Sequence, residues 1–106
     1  MPKYFIQASY TTEGVKGLLK EGGSKRREVV EQLTKALGGR VEAFYFAFGD
    51  NDVYSIFDIP DNVSQAAVAL AINASGAGKV KPTVLLTAEE VDQATQMTVN
   101  YRPPGQ

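Results

Sequence analysis

The 106-residue chain contains no cysteine, no histidine and no tryptophan. Without thiolates or imidazoles it can build no cysteine- or histidine-ligated zinc site, iron–sulfur cluster, disulfide, Ser-His-Asp triad, cysteine nucleophile or histidine-held haem. Chemistry is left to carboxylates, tyrosine, lysine, arginine, hydroxyls and backbone amides, and neither a metal nor a cofactor is expected. Long apolar runs are also missing: nothing approaches the roughly 20 residues of a membrane helix, so no membrane partner is expected. The opening Met1 to Gln7 lacks the apolar core of a secretory leader, which makes the cytoplasm the expected compartment. Eleven basic residues against twelve acidic ones leave a net charge of -1. That balance gives no general positive field, and nucleic acid is not an expected partner. Lys20, Lys25, Arg26 and Arg27 form one local exception, either a solvated loop and helix start or a small anion site with Arg27 as a ligand.

What remains is a pattern of short elements. Lys3 to Tyr10 is rich in aromatic and β-branched residues and reads as a strand, with Tyr4, Ile6, Ala8 and Tyr10 on one face and Phe5, Gln7 and Ser9 on the other. A short helical piece follows from Thr12, weakened by Gly14 and Gly17 and interrupted at Gly22 and Gly23. Ser24 reads as the N-cap of a second piece whose apolar stripe is Val29, Val30, Leu33, Ala36 and Leu37, ended by Gly38 and Gly39. Val41 to Phe48 and Val53 to Ile59 are strands joined by Gly49-Asp50-Asn51-Asp52, an antiparallel hairpin. After Pro60, Asn62 with Gln65 has the form of a capping box opening a helix to Ser75. Val80 to Leu86 is a fourth strand, placed at a sheet edge by Pro82, which has no N–H for a second ladder. Thr87 with Glu90 opens a short terminal helix, and Gln96 to Gln106, ending in Arg102-Pro103-Pro104-Gly105-Gln106, reads as an arm or disordered end.

The sum is an α+β, ferredoxin-like βαββαβ fold with a four-stranded antiparallel sheet, two helices on one face, and a short C-terminal helix and tail. The domain is expected over residues 1–95, with a tail at 96–106. Strict alternation would place Phe44, Phe46 and Phe48 on one face of the second strand and Val41, Ala43, Tyr45 and Ala47 on the other. Both faces are then apolar while the helices suffice for one, which calls for a second cover. Self-association through the open sheet face, as a two-fold homodimer, is the expected solution.

The chain resembles the GYD domain family of the dimeric α/β barrel superfamily. The resemblance rests on Tyr4, Tyr10-Thr11-Thr12-Glu13-Gly14, Lys16-Gly17-Leu18, Ser24 to Arg27, Gly39, Glu42-Ala43-Phe44-Tyr45, Gly49 to Val53, Ile59-Pro60-Asp61 and Gly78 to Thr83. The Gly, Tyr and Asp of the family's naming motif fall on Gly49, Asn51 and Asp52, with asparagine in place of the tyrosine. The resemblance implies a dimeric α/β barrel more than an activity. Relatives in the wider superfamily include cofactor-independent monooxygenases, isomerases and haem-degrading enzymes, the last usually dependent on histidine.

Two local motifs are set aside. Gly76-Ala77-Gly78-Lys79 has neither the first glycine nor the Ser or Thr of a phosphate loop, and it joins helix to strand rather than strand to helix. Asp50, Asn51 and Asp52 are what a tight turn prefers, and they lack the spaced ligands of a calcium loop. The tyrosines either pack on their strands or line a pocket between sheet and helices, where superfamily enzymes tend to hold substrate. In the second case Tyr4, Tyr45 and Tyr54, with Arg27, would hold a small organic ligand, and Asp58 or a lysine would serve as the base. The leading reading is a homodimer that binds a small organic molecule. Two alternatives stand beside it, a cofactor-independent monooxygenase or isomerase and a structural or regulatory module without a pocket.

Overall fold

The alternation of Lys3–Tyr10 becomes the axis of the structure. The computed structural model describes residues 1–106, and in it strand β1 (Lys3–Tyr10) is central. β1 pairs antiparallel with β3 (Val53–Asp58) on one side and with β4 (Gly78–Leu85) on the other. β2 (Arg40–Phe46) lies outside β3, giving the order β2-β3-β1-β4. The sheet is open, and the architecture is α+β and ferredoxin-like, with the first crossover divided into α1 (Thr12–Glu21) and α2 (Gly23–Ala36). Helix α3 (Asn62–Ala74) makes the second crossover, and α4 (Ala88–Thr95) follows β4. Pro82 stands in an edge strand as expected, where its missing N–H costs no ladder bond. No helix is long and apolar enough to cross a membrane.

Register assigns the two faces. Tyr4 and Ile6 lie opposite Phe57 and Ser55, and all four are buried beneath the helices with Val53, Ile59, Val68 and Val80. The other face carries Phe5, Gln7, Tyr54 and Ile56, with the Phe5 and Tyr54 rings stacked 5.9 Å apart. Only 14 of 106 residues are buried, so the core is a single layer between sheet and helices.

Four local details differ from the pattern-based expectation. A β-bulge between Val41 and Ala43 sets Val41 opposite Phe57 and Ala43 opposite Ile56. The extra residue returns Val41 to the helix side, where it packs on the core with Phe57, rather than to the face of Ala43 and Tyr45. β2 also stops at Phe46, and Phe48 is wholly exposed in the hairpin. Ser24 caps nothing: Gly22, at φ 86°, ends α1 by donating its N–H to the Leu18 carbonyl, and α2 starts at Gly23. Asp61 rather than Asn62 caps α3, accepting from the Ser64 N–H at 2.8 Å. Asn62 instead accepts a hydrogen bond from the Tyr4 hydroxyl, and Gln65 turns inward. The Thr87–Glu90 capping box forms as expected.

Asp58 holds the open face together at one end. Its carboxylate accepts from Lys3 and Arg40, each at 2.8 Å, and Lys3 also reaches Glu42 at 3.1 Å. Asp58 is buried, and a buried carboxylate with two cationic partners is compensated where a lone one would not be.

Two substitutions follow from this packing. The Gln65 side chain is 2% exposed, and neither amide atom has a hydrogen-bond partner. Gln65→Leu is expected to raise unfolding free energy by about 1–3 kcal/mol, read from a denaturant midpoint at unchanged slope. A Cβ on Gly14 would stand 1.9 Å from the Ala77 carbonyl oxygen, whereas one on Gly17 meets nothing within 4 Å. Both are helical, so propensity alone favours alanine at each. Gly17→Ala is expected to stabilise by about 0.5–1 kcal/mol, and Gly14→Ala to destabilise by about 1–3 kcal/mol. Equal thermal shifts in the two variants would contradict the close approach.

Candidate functional site

The helix layer does not close over the sheet. Between α2 and α3 a half-open cleft of about 400 Å³ reaches down to the strands. Its floor is Ile6, Ala8, Val53 and Val80, its α2 wall carries Val29, Val30 and Leu33, and Ile72 stands on the α3 side. Phe44 reaches in from β2, where its pairing with Ser55 sets it on the helix face. Thirteen of the nineteen lining residues are hydrophobic, so the cleft is mostly apolar.

Polar groups gather at one end. Tyr10, the last residue of β1, and Arg26, in the first turns of α2, line both this cleft and a smaller one of about 140 Å³ beside α1. Burial is the main influence holding the Tyr10 phenol above its ordinary pKa; the Arg26 charge opposes it, and Asp52 and Glu21 add to it. At neutral pH the hydroxyl is a neutral donor and acceptor. Arg26 Nη1 lies 3.4 Å from Glu21 Oε1, with both side chains about one third exposed, a loose pair of small energetic weight. Glu21, from the end of α1, supplies the negative charge that the first turn of α2 lacks.

The strand-to-helix junction fixes this end of the cleft. The Thr11 hydroxyl caps α1 by accepting from the Gly14 N–H at 3.2 Å and donates to the Gly76 carbonyl at 2.7 Å. Its backbone N–H donates to the Ala77 carbonyl at 3.0 Å, the atom that leaves no room for a side chain at Gly14. The Tyr10 N–H donates to Asp52 Oδ2 at 2.7 Å. Tyr10 is therefore held by the hairpin on one side, while the turn after α3 grips Thr11 beside it.

A family model described as GYD domain matches residues 4–95. The chain belongs to the GYD domain family. No curated protein and no solved structure matches it. The GYD domain thus spans all four strands and every helix of the chain. In the turn between β2 and β3 Asp52 anchors Tyr10, and Asn51, buried, donates to Gln7 Oε1 at 3.0 Å and reaches the Tyr54 hydroxyl at 3.4 Å. Asn51 is therefore an internal tie between the hairpin and the open face.

The residues singled out by sequence are not brought to one place in this GYD domain. Tyr4 is buried in the core on Asn62. Arg27 is exposed on α2, 3.7 Å from Glu31 one turn away. Tyr45 and Tyr54 are cross-strand neighbours on the open face, Tyr45 being 71% exposed, and Asp58 shares that face with Lys3 and Arg40. None of the five lines the cleft. The residues that do, Tyr10 and Arg26 above all, carried a signal in the strand phase. Tyr10 alternates with Tyr4, Ile6 and Ala8, and Arg26 sits three to four residues before Val29 and Val30.

The paired environment of Tyr10 is testable by titration. A raised folded pKa means the folded chain holds the phenolic proton more tightly than the unfolded chain. That contribution to stability is complete below the ordinary phenol range and disappears as pH rises through the folded value. Arg26→Gln removes the opposing positive charge and is expected to push Tyr10 higher still. Ultraviolet absorbance titration, with Tyr10→Phe subtracted to isolate the residue, reads the shift; a fall would contradict the placement.

Proposed function

We propose that this GYD domain binds a small, mostly apolar organic molecule bearing an acidic or hydroxyl group, and that it works as a homodimer paired through the open sheet face. The cleft carries the first part. Its volume of about 400 Å³ lies within the roughly 300–1,000 Å³ usual for small-molecule sites, and an apolar body with a few convergent polar groups is their common form. Arg26 offers a planar pair of donors matched to a carboxylate or enolate. The Tyr10 phenol, kept neutral, donates to the same group. Such a ligand replaces Glu21 on the guanidinium, and a partly exposed pair at 3.4 Å resists by no more than about 1 kcal/mol.

The open face supports the second part. Phe5, Tyr54, Ile56 and Tyr45 form an aromatic and aliphatic strip on which no helix of the same chain lies. The charged Lys3–Asp58–Arg40 cluster borders one end, and the Gln7–Asn51 pair borders the other. An apolar centre with a polar rim is the anatomy of a protein interface. Tyr10 and Asp58 stand on opposite faces of the sheet, so they cannot act as a Tyr–Asp pair within the cleft. The binding reading is therefore preferred to the enzymatic one.

Native mass spectrometry of the protein as purified from cells tests the cleft. The expected spectrum shows the chain with an added small-molecule mass, reduced or lost in Ala8→Leu, which fills the floor. Arg26→Gln is expected to weaken binding of an anionic aromatic dye about tenfold, the equivalent of roughly 1.4 kcal/mol. A bare chain that also fails to bind the dye would overturn the reading.

A further inference from the structure

The last fifth of the chain stands away from the body of the fold. Every residue from Leu86 to Gln106 is exposed, and α4 buries none of its side chains. The radius of gyration is 16.9 Å, against about 13 Å for a compact chain of this length. The long axis measures 57 Å beside 33 and 23 Å. An arm accounts for that elongation.

The arm is nonetheless built as structure. Thr87 and Glu90 close a complete capping box, with the Thr87 N–H donating to Glu90 Oε1 at 2.9 Å and the Glu90 N–H donating to Thr87 Oγ1 at 3.1 Å. Capping alone does not hold eight residues helical in water, where even alanine-rich helices below about 12–15 residues are marginal. The remaining stabilisation must come from packing, and the arm carries the side chains for it. Leu86, Val91, Met97, Val99 and Tyr101 are all exposed large apolar residues. Its charge has one sign, since Glu89, Glu90 and Asp92 are the only charged residues between Lys81 and Arg102.

A complementary surface exists on the same chain but faces elsewhere. Lys79 and Lys81 are exposed on β4 and take part in none of the ion pairs. Register sets them opposite Ser9 and Gln7, on the open face with Phe5 and Tyr54. The chain leaves β4 at the other end, where Leu85 pairs with Lys3, about 13–20 Å further along the strand at 3.3 Å per residue. In a two-fold pair whose axis crosses the strands, the partner's β4 runs in reverse and brings its lysine end beside the departing arm.

From this placement we infer that the segment Leu86–Tyr101 is an exchanged arm, which crosses to a second copy of this chain and seats α4 beside the partner's β4, its acidic residues against the lysines there and its apolar side chains on the open-face rim. The partner's arm returns the contact, so the interface is isologous. The inference rests on the proposed pairing through the open face, and it adds a surface that the sheets alone do not supply.

The absence of cysteine makes a direct test available in the full-length chain. Single-cysteine variants Val91→Cys and Lys81→Cys are mixed and treated with a short bismaleimide, while sedimentation velocity reports assembly in parallel. The expected result is a covalent dimer from the mixture, well above that from either variant alone. A chain carrying both substitutions should likewise cross-link between molecules. Charge supplies a second arm: Glu89→Lys with Asp92→Lys weakens association about tenfold, and mixing that variant with Lys79→Glu/Lys81→Glu restores it. A dimer by sedimentation with no cross-link and no charge effect overturns the arm and leaves the sheet pairing standing. A monomer overturns both. Cross-linking only within one molecule shows the arm folded back on its own domain and overturns the exchange.

Discussion

A four-stranded sheet with apolar side chains on both faces must cover both, and this chain has crossover helices for one. The remaining structure follows from that shortage. On the helix side, α2 and α3 pack over the buried Tyr4, Ile6, Phe57 and Val80. On the other side, Phe5 stacks on Tyr54 with no helix above them. Burial of apolar area is the dominant favourable contribution to folding, at about 25 cal/mol per Å², and a core of seven buried apolar residues leaves the strip of Phe5, Tyr54, Ile56 and Tyr45 outside it.

The same shortage shapes the helix side. Two helices meet the sheet at its outer strands, α2 toward β2 and α3 toward β4, and the cleft opens between them onto the strands. Its polar end is set by backbone geometry. Thr11 spans to Gly76 and Ala77, Gly14 admits the Ala77 carbonyl, and Asp52 ties down the Tyr10 N–H. These contacts give the Tyr10-Thr11-Thr12-Glu13-Gly14 segment a structural reason that is independent of any ligand. They also fix Tyr10 at the end of the cleft that Arg26 lines.

Much of the architecture was legible in the residue pattern, because strands, turns and caps are local. The phase of β1, the edge position of Pro82 and the Thr87–Glu90 box are each decided by a few neighbouring residues. The structure departs from the residue pattern where another contact outweighs a local preference. Asn62 has the chemistry of an N-cap, but the Tyr4 hydroxyl takes its side chain and Asp61 caps instead. Ser24 likewise yields to Gly22, which alone adopts the positive φ that separates α1 from α2. The bulge at Val41–Ala43 is invisible to strict alternation, and it decides that Val41 and Phe44 share the helix face. Side-chain chemistry alone does not say which face of the sheet the helices cover. Tyr45, Tyr54 and Asp58 accordingly share the open face rather than the cleft.

The central claim is that the open face is covered by a second copy of the chain. Static light scattering of the unmodified protein across a dilution series, from high to low micromolar concentration, addresses it most directly. The account predicts a mass twice the 11.4 kDa of one chain, giving way to single chains only far below that range. A mass of 11.4 kDa throughout would contradict it.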